Sequence, residues 1–385
     1  MTTHEYSRRA FARLMAFAAV SPFAFRGTSA VRPRSDEPGI RRWSGYDDAM
    51  VIDCLASPGP FNVPDRIGRP LTEAMLANAS SSGITAVNLT VSGGGPVGTE
   101  FEATIEQIAY WEAELTRHPD RLMKVQTIDE LHRAKSSGKL GLIYGFQDTT
   151  ALGPDLKRLE IFHRLGIKII QLTYNRVNRV GDGCLVPRNA GLTPFGKELV
   201  AAMNETGILV DTSHCGQQTT ADAIAASTQP TAITHSGCSA VYQHPRSKAD
   251  RELRALADGG GVVGIYMMPF LNSKGPPQAE DFMRHLEHAV NVCGEDHVGV
   301  GSDNSITPTV ADEAYLEQLF AFADERARLG IGAPREHEVL FVEGLNHPRR
   351  METIADMLLE RGHTESRVEK ILGGNWERLF GDVWH

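Results

Sequence analysis

Eight short runs rich in β-branched residues, each followed by a segment with helical spacing, recur along most of the chain, and this alternation constrains the fold more than any other feature. The runs fall at 50–53, 85–90, 141–146, 168–174, 208–214, 231–235, 261–266 and 298–303. Helical patterns lie between them at 71–82, 100–117, 155–165, 194–206, 219–227, 250–258 and 280–293, with further ones at 311–329, 349–361 and 365–372. Eight strand–helix repeats predict an α/β fold of the (β/α)8 TIM-type barrel, a single domain with extra C-terminal helices. A doubly wound sheet is the alternative. It would offer a glycine-rich phosphate turn after the first strand, where this chain has Asp53-Cys-Leu-Ala-Ser-Pro-Gly59. Gly93-Gly94-Gly95 after the second strand reads as a flexible loop.

The first thirty residues read as an export signal. Ser7-Arg8-Arg9-Ala10-Phe11 is a twin-arginine pattern, 14–25 is uncharged, and Thr28-Ser29-Ala30 resembles a cleavage site. Twelve uncharged residues are too few to span a bilayer, and the alternative is an amphipathic helix of the domain. The expected division is a signal at 1–30, a lead-in at 31–48 and the barrel at 49–385, with a periplasmic or other extracytoplasmic location and no transmembrane anchor in the mature chain. A net charge of −9 argues against nucleic acid as a partner. Five cysteines, at 54, 184, 215, 238 and 293, leave at least one thiol without a disulfide partner, and no C-x-x-C pair supports a zinc ribbon.

In a barrel of this type chemistry gathers at the C-terminal ends of the strands. Those ends read Asp53, Thr90, Gln147, Tyr174, His214, His235, Tyr266 and Asp303. Two histidines on adjacent strands and an aspartate on the eighth suit a metallohydrolase, in which imidazoles hold a divalent ion and a carboxylate moves a proton. Taken singly, each histidine reads more readily as a hydrogen-bonded core residue than as a ligand.

Around these ends the chain carries longer blocks: Gly145-Phe-Gln-Asp148, Leu-Gly-Ile-Lys-Ile-Ile-Gln-Leu-Thr-Tyr-Asn at 165–175, Gly191-Leu-Thr-Pro-Phe-Gly-Lys-Glu-Leu-Val200, Met203-Asn-Glu-Thr-Gly-Ile-Leu-Val-Asp-Thr-Ser-His214, Thr234-His-Ser236, His244-Pro-Arg246, Asp296-His-Val-Gly-Val-Gly-Ser-Asp303 and Ile371-Leu-Gly-Gly-Asn-Trp376. In this order they resemble the membrane (renal) dipeptidase family of the amidohydrolase superfamily, over about residues 50–380. The resemblance implies a barrel with two zinc ions that hydrolyses dipeptides. Position by position, it places the two histidine ligands of one metal on His214 and His235, the catalytic aspartate on Asp303 and the substrate-carboxylate arginine on Arg246. It also shows losses. The family's first strand ends Asp-Gly-His-Asn-Asp, and Leu55 and Ser57 stand where its histidine and second aspartate would bind. Gln147 replaces the bridging glutamate and Tyr174 the substrate-contacting histidine.

The resulting expectation is an exported, metal-dependent, dipeptidase-like hydrolase acting on a dipeptide or similar small carboxylate-bearing amide. It would use zinc or another divalent ion, one at most and none in the limiting case. Gln147 and Asp53 are candidates for metal or pocket roles, and Tyr174 for substrate binding. The loop 175–184, with Arg176, Arg179 and Asp182, is a candidate pocket rim. Two alternatives remain on the sequence: a non-catalytic binding protein for a small ligand, and a metal-free lyase or isomerase using Asp303 and Tyr174. A homodimer is expected only from the habit of the family.

Overall fold

A computed structural model describes residues 43–62, 69–92 and 98–384. The export signal, most of the lead-in and Gly93-Gly94-Gly95 therefore lie outside the described residues. Eight parallel strands close a ring: β1 Ile52–Asp53, β2 Ala86–Thr90, β3 Leu140–Phe146, β4 Ile167–Gln171, β5 Leu209–Asp211, β6 Ala232–Ser236, β7 Val262–Ile265 and β8 Val298–Val300. Each pairs with its neighbours in chain order, and β1 pairs with both β2 and β8 to complete the circle. All eight expected strands are present, and the chain is a TIM-type barrel rather than a doubly wound sheet. Asp303 stands three residues past the end of β8 rather than on it.

Local signals account for the helices that pack outside. Pro194–Thr206 begins with Thr193, whose side chain accepts from the Gly196 N–H, and Pro194 needs no N–H partner in the first turn. Two helices escaped the periodicity. Ile128–Ser137 follows a short ninth strand, Leu122–Lys124, that pairs only with the start of β3. It carried a legible start all the same: Thr127 accepts from the Glu130 N–H while the Glu130 carboxylate reaches back to the Gln126 N–H. Asn375–Val383 is the second, separated from Glu365–Glu369 by one wide turn.

The ring interior changes character along its axis. Ile52, Ala86, Ile143, Ile169, Leu209, Ala232 and Val262 form an apolar floor, closed from below by Trp376, Phe380 and Trp384. Trp376 fits because position 299 is glycine, where a Cβ would collide with the indole. Two residues further along the same strands, the buried side chains are Asn88, Gln171, Asp211 and Thr234. With period-two alternation these share the inner face with the floor, one layer nearer the C-terminal ends. The polar functional end is thus built into the strands themselves.

Candidate active site

The ends of β5 and β6 are fastened together by one buried carboxylate. Asp211 accepts from the Ser213 N–H (2.9 Å), the Ser213 hydroxyl (2.5 Å), the Thr234 N–H (3.0 Å) and the Thr234 hydroxyl (2.7 Å). Burial pushes its carboxyl above the usual range, and these four donors pull it back. Since the Thr234 hydroxyl gives its proton to Asp211, it can only accept from His235 Nδ1, 2.8 Å away. Asn175 does the same for His214. Its Nδ2 donates to the Ile331 carbonyl at 2.7 Å, which turns Oδ1 toward His214 Nδ1 at 2.6 Å. Both imidazoles are therefore protonated on Nδ1 and present a lone pair at Nε2. These two Nε2 atoms are 2.9 Å apart. Burial holds both rings well below the ordinary histidine pKa, with the nearby Arg246 charge adding to the effect, so they are neutral at pH 7.

Two lone pairs meeting at that distance repel unless positive charge lies between them. The pair therefore fits a single divalent ion with Asp211–Thr234 and Asn175 as the outer partners that orient its ligands. The remaining donors do not fit a second ion. Leu55 has no donor atom. Asp53 is a correction to the expectation that it serves a metal or the pocket. It is fully buried and paired with Arg350 Nη2 (2.9 Å), and it also accepts from the Ser302 N–H (2.7 Å). Gln147 is held through its amide nitrogen, which donates to Thr90 Oγ1 (2.8 Å), and neither it nor Asp53 lines the cavity that contains His214. Among the described residues no cluster of three or more histidine, cysteine, aspartate or glutamate side chains is poised around one point.

That cavity, a cleft of about 360 Å³ when its solvent-open part is included, is lined by His214, Arg246, Asp303, Tyr174 and Asn62 together with Met268, Phe270, Phe322, Arg326, Glu336 and Leu340. It brings together four of the residues singled out from the sequence, with His235 behind His214. Asp303 adopts φ +58°, a left-handed conformation that Asp and Asn tolerate better than most residues. Its N–H donates to the Leu55 carbonyl and its own carbonyl accepts from Asn62 Nδ2, which fixes the turn. Arg246 is buried and braces the site, donating to the carbonyls of Ser213 (2.5 Å) and His235 (3.3 Å) while still facing the cavity. Tyr174 stacks on His214, ring centres 4.1 Å apart, and burial raises its phenol further above neutrality. Loop 175–184, expected at the pocket rim, contributes no lining residue to this cavity, but Asn175 and Arg176 hold the carbonyls of Ile331 and Leu329 in the segment that covers it.

Sequence reasoning missed that cover. Helix Glu313–Arg328 and the loop after it supply Phe322, Arg326, Glu336 and Leu340. Arg326 packs over the Tyr174 ring at 5.3 Å and makes a two-pronged ion pair with Glu336 (2.7 and 2.9 Å). The loop is also held where His244 meets the Pro334 carbonyl and Arg335 the Pro269 carbonyl. No strand-end signal marks these residues, because they arrive from beyond the eighth strand. The polar layer beneath was more legible: Asp211-Thr-Ser-His214 and Thr234-His235 put hydrogen-bonding side chains at alternate positions of two adjacent strands.

A closed parallel barrel with paired imidazoles and an aspartate at the strand ends defines the amidohydrolase type of architecture. A model of the membrane dipeptidase family, peptidase family M19, matches residues 72–321, and the chain belongs to that family. Dipeptidase tcpJ of Claviceps purpurea is 28% identical over 284 residues, 73% of this chain and 60% of its own length, so the present chain spans only about three-fifths of that relative. An amidohydrolase from Pseudomonas aeruginosa has a similar crystal structure, with TM-score 0.76 and 31% identity over 88% of this chain and 98% of that one. A metallopeptidase from Rhodobacter sphaeroides, solved with a phosphinate mimic of the dipeptide L-Ala-D-Ala, shares the fold with TM-score 0.69 at 19% identity, over 87% of this chain and 99% of that one.

Proposed function

We propose that this protein hydrolyses a small amide that carries a free carboxylate, such as a dipeptide, with at most one divalent metal ion held by His214 and His235. The observation that carries the reading is the meeting of the two Nε2 lone pairs beside a cavity that also holds Asp303 and Arg246. A bound zinc or similar ion would supply a Lewis acid to polarise the reacting groups. Asp303 takes the proton of the attacking water and passes it to the departing nitrogen. Arg246, fixed by two carbonyls, offers its planar fork to the substrate carboxylate. Tyr174 covers one face of His214, and the segment beyond Glu313 keeps bulk water from the reacting groups. The Rhodobacter relative's dipeptide mimic supports the substrate class. The twin-arginine pattern supports export to the periplasm, and among the described residues no helix is long and apolar enough to cross a membrane. A homodimer remains part of the reading by family habit.

The loss of both first-strand donors favours a second reading, a barrel that binds such a ligand without cleaving it. Metal content by elemental analysis, combined with product mass on a panel of dipeptides, separates the two. One equivalent of metal that is lost in His235→Ala, together with products heavier by one water, supports the hydrolase. Ligand-induced stabilisation without any product supports the binder.

A further inference from the structure

The cavity lining divides into two chemically different sets. His214, Arg246, Asp303 and Asn62 are polar and belong to the barrel ends, whereas Met268, Phe270, Phe322 and Leu340 are apolar. Two of the apolar four, Phe322 and Leu340, come from the covering segment, past residue 321 where the family match ends. The covering segment does bring a carboxylate, Glu336, but it is consumed. Both its oxygens accept from Arg326, and Oε1 also accepts from the Ala333 N–H. Among the described residues the cavity's other carboxylate is Asp303.

A dipeptide brings two charges into such a space. Its carboxylate suits Arg246. Its ammonium would lose hydration against Met268, Phe270, Phe322 and Leu340 without an ion-pair partner there, which is costly. Pairing it with Asp303 instead would favour that side chain's ionised form and weaken it as a base. An uncharged, branched or linear acyl group meets neither difficulty and buries apolar surface on the same wall.

We propose that the preferred substrate is an N-acyl amino acid with a small apolar acyl group rather than a dipeptide with a free amine. This rests on the hydrolase reading above and narrows its substrate class. The reaction is an ordinary amide hydrolysis: the acyl C–N bond breaks, a C–O bond forms from water, and the proton goes to the nitrogen. The products are a carboxylic acid and a free amino acid.

The test compares isobutyryl-alanine with alanyl-alanine, which differ by a methyl in place of the ammonium, for both enantiomers of the C-terminal alanine. The full chain with one equivalent of zinc is assayed by product mass and by ligand-induced change in melting temperature. Isobutyryl-alanine is expected to show at least tenfold higher kcat/KM and the larger upward shift. Equal or better handling of alanyl-alanine overturns the proposal and leaves the hydrolase reading standing. Absence of both cleavage and stabilisation with every compound overturns the hydrolase reading and the proposal with it. Leu340→Asp is expected to reverse the preference toward alanyl-alanine at least tenfold, and an unchanged preference in the folded variant counts against the apolar wall. Phe322→Asp, at a half-buried position, makes the same test if Leu340→Asp does not fold.

Discussion

The ends of β5 and β6 and the ends of β1 and β3 occupy equivalent places around one ring, yet they use buried polar side chains in opposite ways. At β5 and β6, Asp211, Thr234 and Asn175 absorb the Nδ1 protons of two imidazoles and leave their Nε2 lone pairs unspent toward each other. At β1 and β3, Asp53 is satisfied by Arg350 and Ser302, and the Gln147 amide by Thr90. One arc therefore keeps reactive capacity, whereas at Asp53 the other has converted the same polarity into structure. A polar residue at a barrel mouth is chemical only when its partners leave an atom over.

Four measurements would break or sharpen this contrast. Asp303→Asn should cost the most, about 10²- to 10⁴-fold in kcat/KM, as expected for loss of a general base. Asparagine tolerates the same left-handed backbone, so an unchanged circular dichroism spectrum should accompany the loss. Full activity in this variant would refute the proton-carrying role. On the structural arc, Arg350→Met leaves Asp53 buried without its cation and should destabilise the protein by about 3–5 kcal/mol in urea unfolding. If the variant instead lost activity at unchanged stability, the arc would be functional after all.

Acid should act next, through a neutral histidine that supports β6. His285 Nδ1 accepts from the Cys238 N–H and Nε2 donates to the Leu271 carbonyl, and burial lowers its pKa to about 4. Below about pH 6.5 the unfolded chain takes up a proton here that the folded chain refuses until about pH 4, so this stability is full above pH 6.5 and lost across that window. Between pH 7 and pH 4.5 the loss in His285→Gln should be smaller than in the parent by about 2 kcal/mol. Parallel pH curves would show that another group sets the acid limit. The smallest effect is expected at Gln147→Leu, about 1 kcal/mol in stability for one lost hydrogen bond and no change in bound metal. A fall in metal content would return Gln147 to the site.

Much of this was open to reading from the residues alone, for identifiable reasons. Ring strands announce themselves where both faces are buried and the run stays apolar, as at Leu140–Phe146 and Val262–Ile265. The barrel rule then points to the strand ends, and His214, Asp303, Arg246 and Tyr174 do share one cavity. The rule failed at Asp53 because the residue that claims it, Arg350, lies 297 positions away, and no local pattern shows such a partner. Phe322, Arg326, Glu336 and Leu340 were invisible for a related reason. Their helix and loop carry ordinary amphipathic spacing, and only the closed ring reveals that they overlie its mouth.

Asn175 binds the mouth cover and a reactive imidazole with the two ends of a single planar amide. Whatever movement carries the Ile331 carbonyl away must also disturb the acceptor that orients His214. The cover and the orientation of His214 are therefore fastened to one another through a single side chain.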